Sequence, residues 1–201
     1  MGEPQRAFAA AARAFVELVR RLPTDRWEEP ALGGWDLRAL VGHTSRALLT
    51  VEAYLARPAS AEDLDSPEAY FVKGLAAAPA AAAVEERGRE AGRALGEDPA
   101  TAVAEIAARV LPLVDRDDDP LLETIGGGMR LSRYLPTRTF ELAVHGADIS
   151  AAAGLPVTFP PAVLAEAAAL AARAAAKLGQ GSIVLAALTG RAALPAGFSV
   201  V

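Results

Sequence analysis

Two histidines, His43 and His145, are all that this 201-residue chain offers, and it has no cysteine. Disulfides, thiolate-held metals, iron–sulfur clusters and cysteine nucleophiles are excluded on that ground. Any histidine chemistry within one chain must use these two. His145 stands four residues after Glu141, a spacing that stacks the two side chains on successive turns of a helix. A carboxylate oxygen and an imidazole nitrogen so placed can ligate one ion. Adding His43 makes two histidines and one carboxylate with an open position for water or substrate, the usual composition of a catalytic zinc site. Nickel, iron or manganese suits the same trio. Periodicity alone leaves two plainer readings open, a Glu141–His145 salt bridge and a His43 that is merely a surface or satisfied core histidine.

The element that must position most of this chemistry is a helix over Leu131–Ala153, ended by Gly154 and Pro156. At about 100° per residue, its apolar stripe is Leu131, Leu135, Leu142 and Ile149. Arg138 and His145 fall inside that stripe, and Glu141 and Asp148 on its edge. Four polar residues therefore occupy successive turns of a face that should point inward. Buried charge without partners is expensive, so they must pair with one another, with a metal or with a ligand. Arg138 and Asp148 as a structural ion-pair network is one such solution.

His43 belongs to a second helix, Leu37 to about Arg57, with Asp36 as its N-cap and Pro58 as its stop. Leu37, Leu40, Val41, Leu48, Val51 and Leu55 form its stripe, and His43 lies at the margin. An amphipathic helix over Gln5–Leu22 precedes it, with Phe8, Ala11, Ala12, Phe15, Leu18 and Leu22 at three- and four-residue steps and Pro23 at its end. A loop over Pro23–Gly34 joins the two. Further helices are expected from Ser66 through Leu75, over Ala80–Leu95, from the Asp98-Pro99 cap to about Val114, and over Pro161–Leu178. Pro112 is a possible kink. The run Glu85–Glu90 reads as a solvated face. Asp115–Asp119 lacks the glycine and glutamate of a calcium loop and reads as a solvated loop. Gly126-Gly127-Gly128 lacks phosphate-loop spacing and reads as a turn or a close approach. The tail 182–201 starts as a short helix to Leu188 and is expected to lie extended against the bundle, leaving one domain over 1–201.

Composition agrees with a mainly-α chain: 48 alanines, 18 arginines against 2 lysines, and 5% aromatics. A net charge of −5 argues against a nucleic-acid partner, which needs a basic surface. The start of the chain has neither the basic nor the apolar region of a signal peptide. The longest apolar segment, Pro161–Leu178, carries Glu166, Arg173 and Lys177 and does not suit a membrane span. The expectation is a cytoplasmic protein with a small-molecule partner and no membrane or nucleic-acid role. A homodimer stays open, with no heptad seam long enough to claim one.

The segment Trp35-Asp36-Leu37-Arg38-Ala39-Leu40-Val41-Gly42-His43 resembles the W-(S/T/D)-x-R-x-L-x-x-H stretch of the DinB-like metal-binding bundles. Arg138-Thr139-Phe140-Glu141-Leu142-Ala143-Val144-His145-Gly146-Ala147-Asp148 resembles the R-x-x-E-x-x-x-H-G-x-D stretch of one branch, the mycothiol-dependent maleylpyruvate isomerase-like family. The closing Ala187-Leu188-Thr189-Gly190-Arg191, with Leu194-Pro195 and Gly197-Phe198, also looks like that family's tail. The resemblance implies an up-and-down four-helix bundle with an extra C-terminal helix and a short apolar tail. It implies a divalent metal, zinc first, held by His43, Glu141 and His145. It further implies mycothiol, or another low-molecular-weight thiol, bound as thiolate at the open position and used in a transferase or isomerase reaction on a small electrophile. Other DinB-like branches use a third histidine, which this chain cannot supply. The full isomerase carries an α/β C-terminal domain that the tail 182–201 is too short to form, so metal site and thiol use transfer better than the substrate. By position, Asp148 is a candidate acceptor that orients an imidazole N–H. Arg138 is a candidate to clamp a carboxylate of substrate or thiol cofactor, or to steady Glu141. Trp35 and Tyr134 read as core packing, with lining of the pocket as the alternative. A metal-dependent hydrolase and a non-catalytic metal- or ligand-binding protein are the rival functions.

Overall fold

The structure is a computed structural model that describes residues 1–76, 81–156 and 159–200, with residues 74–76 and 81 described for their backbone only. In chain order the elements are α1 (Glu3–Arg20), β1 (Pro30–Leu32), β2 (Trp35–Asp36), α2 (Leu37–Leu55), α3 (Pro67–Ala76), α4 (Ala81–Ala94), α5 (Pro99–Val114), β3 (Leu121–Thr124), β4 (Gly127–Arg130), α6 (Leu131–Ala153), α7 (Pro161–Lys177) and α8 (Gly181–Leu188). The mainly-α bundle expected from composition and resemblance is what the chain forms. The caps explain the boundaries. Asp36 accepts from the Ala39 N–H at 2.7 Å, and Asp98 from the Thr101 N–H at 3.0 Å, answering backbone donors that the first helical turn leaves free. Gly154 ends α6 in the left-handed conformation at φ 67°. Pro112 sits within α5 without ending it. The expected helix start at Ala80 and the last tail residue, Val201, lie outside the described residues.

Four helices make the core. α1 packs on α5 and α6, and α2 packs on the same two, so the circular order is α1–α6–α2–α5. Successive helices α1 and α2 thus face each other across the diagonal, which refines the expected up-and-down order. The connection between them explains how. Residues 21–36 pass over the C-terminal end of α6, where Arg26 donates to the carbonyls of Ala153 and Ala152 at 2.9 and 3.2 Å. A guanidinium there also complements the negative end of the helix dipole. The expected stripe of α6 is buried throughout, with Leu131, Leu135, Leu142 and Ile149 all at 0% exposure.

Two short antiparallel hairpins, which the sequence pattern does not predict, lie between the helices: β1 pairs with β2, and β3 with β4. The glycines at 126–128 serve as both turn and close approach. Gly127, at φ 112°, sits where the β3–β4 hairpin reverses, and a Cβ on Gly128 would lie 1.8 Å from the Ala61 carbonyl oxygen. The acidic loop is more than solvated. Asp119 accepts from the Ser132 N–H and hydroxyl at 2.8 and 2.7 Å and so caps the first turn of α6. Outside the core, α4 lies on α2, α7 on α6, and α8 on α7. No residue of α8 is buried and residues 189–197 are exposed, while Phe198 and Val200 are half-buried; α8 packs on α7. No described helix is long and apolar enough to cross a membrane.

Candidate metal centre

The packing of α2 against α6 brings His43 to Glu141 and His145. One ligand atom from each of the three residues falls within 4.8 Å of the others. Glu141 Oε2 and His145 Nε2 are 3.4 Å apart. Ligands about 2.1 Å from a tetrahedral ion are separated by about 3.4 Å, so this pair already has the spacing a metal requires. His43 Nδ1 is sealed from solvent and finds no hydrogen-bond partner among the described residues. A buried imidazole nitrogen with nothing to bond is the orphan that a bound ion or ligand relieves. The donor set therefore fits a divalent metal such as zinc in composition, and its Glu141–His145 pair fits in spacing.

Local structure sets each side chain. Trp35 closes the β1–β2 hairpin one residue before the Asp36 cap, and its ring lies on that of His43 at 4.4 Å between centroids, tilted by 33°. The indole N–H donates to the Glu85 carbonyl at 2.9 Å, which ties it to α4. Its edge packs so closely on α4 that a Cβ at Gly88 would lie 2.5 Å from the indole nitrogen. Trp35 is thus buried packing, and what it packs on is a candidate ligand. The His145 ring meets His43 edge-on at 4.9 Å. Its Nδ1 lies 3.1 Å from Asp148 Oδ2. With Nδ1–H donated to that carboxylate, Nε2 is the nitrogen directed at Glu141, and it offers a lone pair once its own proton is lost. Gly146, next along α6, leaves room for Phe159, whose ring a Cβ would meet at 2.4 Å.

Charge is distributed unevenly over the three. Burial first, then the positive charges of His145, Arg46 and Arg138, hold His43 down at about 4, so at neutral pH it is uncharged and one ring nitrogen offers a lone pair. For Glu141, burial opposes the charge, but the His145 hydrogen bond and the charges of Arg138, His145 and His43 outweigh it and hold the carboxyl at about 2. For His145, burial pulls down, while Asp148 and Glu141 together hold it up at about 9. A metal must displace that proton to use Nε2.

Arg138 does not close on Glu141: Nη2 and Oε1 are 4.0 Å apart. It lies instead over the rings of Tyr134 and Tyr70, at 4.9 and 5.2 Å from their centroids. Tyr134 is wholly buried, and its hydroxyl donates to Thr50 Oγ1 at 2.8 Å, so it serves as a shelf for the guanidinium. Sequence reasoning passes over Tyr70, which no periodicity connects to α6, and over Arg46. Arg46 had a signal, since it lies three residues after His43 and therefore on nearly the same side of α2.

Comparison with the curated proteins and with the solved structures finds no match to this chain. A family model does match, described as the mycothiol maleylpyruvate isomerase N-terminal domain, over residues 8–150. That span takes in both motif segments, all three converging side chains, and every helix of the four-helix core in whole or in large part. The chain belongs to the mycothiol maleylpyruvate isomerase N-terminal domain family.

Proposed function

We propose that the protein holds a divalent metal, zinc first, through His43, Glu141 and His145, and uses a low-molecular-weight thiol in a transferase or isomerase reaction on a small electrophile. The observation that carries this reading is the convergence of three ligand atoms within 4.8 Å, with a buried His43 nitrogen that has no hydrogen-bond partner among the described residues. Family membership supports mycothiol as the thiol. Zinc at such a site supplies the Lewis acidity that keeps a coordinated thiol deprotonated near neutral pH. With no cysteine in the chain, the sulfur must enter with that thiol. The chain's own residues do the rest. Asp148 holds the His145 Nδ1 proton and thereby fixes the tautomer and the ring. Glu141 stays ionised and offsets positive charge at the centre. Trp35 covers one face of His43 and fixes its plane.

Metal analysis and a thiol titration test the reading together. The purified parent is expected to hold about one zinc per chain, and H43A and H145A to lose it. Mycothiol added to cobalt-substituted protein is expected to bring in a sulfur-to-metal charge-transfer band, and turnover of a model electrophile is expected to need the thiol. Equal zinc in parent and histidine variants overturns the ligand set. Zinc retained with no thiol-dependent spectrum, and hydrolysis that ignores the thiol, moves the protein to the hydrolases.

A further inference from the structure

The centre carries a guanidinium whose terminal N–H donors the three ligand residues do not engage by hydrogen bonds. Arg138 is 8% exposed, and among the described residues its guanidinium makes one hydrogen bond, from Nε to Thr137 Oγ1 at 3.0 Å. Nη2 stops 4.0 Å from Glu141, beyond hydrogen-bond range. Tyr134 and Tyr70 hold the cation by its flat face, which leaves the forked edge with its remaining N–H donors unanswered among the described residues. None of those nitrogens is among the sealed partnerless atoms, so the edge is not wholly closed off from solvent. An arginine that served only to steady Glu141 would close to about 2.8 Å on it. Arg46 on α2 is half-buried, makes no ion pair among the described residues, and adds to the positive field at His43.

We infer that Arg138 anchors a carboxylate of the small electrophile beside the candidate metal centre, with Arg46 adding positive potential. A planar fork presented edge-on matches the two oxygens of a carboxylate. The fork stands 4.0 Å from Glu141, itself a candidate ligand, so the carboxylate and the reacting carbon of the bound molecule are separated by only a short stretch of chain. The position of the reacting carbon rests on the metal-and-thiol reading; the anion subsite does not.

Isothermal titration with crotonate and with its neutral counterpart crotonamide tests the anchor, in zinc-loaded and in chelator-treated protein. Crotonate is expected to saturate the parent and to bind at least tenfold tighter than crotonamide. R138Q is expected to lose at least tenfold in crotonate affinity, R138K an intermediate amount, and R46Q a few-fold. N-acetylcysteine against its carboxamide forms a second arm. Discrimination there and not with crotonate assigns the carboxylate to the thiol and overturns its assignment to the electrophile. Equal affinity for crotonate and crotonamide in the parent, a comparison that needs no variant, overturns the anchor, as does equal crotonate binding by parent and R138K. Arg138-dependent binding that survives chelation keeps the anchor even where zinc analysis defeats the ligand set. Retained zinc with Arg138-independent binding defeats the anchor alone.

Discussion

Burial and local charge pull the two histidines of the metal-free protein in opposite directions. His43 is held down at about 4 and His145 up at about 9. Between pH 4 and the ordinary imidazole value of about 6.5, the unfolded chain takes a proton at residue 43 that the folded chain refuses, so stability falls as the pH drops. Between about 6.5 and 9, the folded chain keeps a proton at residue 145 that the unfolded chain releases, so stability falls as the pH rises. Chelator-treated protein is therefore expected to be most stable near pH 6.5, losing on the order of 1–3 kcal/mol toward either side. Urea midpoints at about pH 5, 6.5 and 8.5 measure this, and H145Q should flatten the alkaline limb while H43Q flattens the acid one. A curve that rises or falls steadily through the whole range contradicts the assignment. The Glu141–His145 pairing was legible because a four-residue helical step converts directly into a distance. Arg46 and Tyr70 were not, because which residues face His43 and Arg138 is decided by how helices rotate against one another.

Small residues, more than any polar contact, bring α4 onto α2. A Cβ at Gly42 would lie 2.1 Å from the Gly92 nitrogen, and one at Gly92 would lie 2.8 Å from the Arg38 carbonyl oxygen. Backbones that close leave no room for a methyl group. G42A is expected to cost on the order of 2–3 kcal/mol, read from urea midpoints, and to weaken zinc binding because His43 is the next residue. G88A separates positioning from stability. Its methyl group would displace the Trp35 indole, so zinc affinity and Trp35 fluorescence in a W27F background should change more than the unfolding midpoint does. Unchanged zinc affinity in G88A would show that the Trp35 stack does not position His43. At this scale helix ends were readable, since Asp36, Asp98, Pro23 and Gly154 act locally on backbone groups. The hairpins were not. Two- to four-residue strands are too short to show alternation, and β1–β2 and β3–β4 read as the turns that join them.

The circular order α1–α6–α2–α5 determines what a metal does to the whole molecule. Each helix has its own apolar stripe, and a stripe says that a helix is covered without saying by which neighbour, so this order could not be read from the chain. It depends on the connection over the end of α6, where Arg26 binds the last carbonyls. In that order α2 and α6 are neighbours, yet 87 or more residues separate His43 from any part of α6 in the chain, from 43 to 131 at the nearest. An ion shared by His43, Glu141 and His145 links two sides of the ring that only the complete fold brings together. Unfolded chain offers the ion no such site, so binding energy becomes folding energy. At free zinc about a hundredfold above its dissociation constant, the gain is about 2.7 kcal/mol. For a chain of this size that corresponds to a rise of roughly 5–10 °C in the unfolding midpoint. Differential scanning calorimetry with zinc and with chelator measures it, and H145A should lose most of the rise. A zinc-dependent rise of the same size in H145A would place the ion elsewhere on the protein.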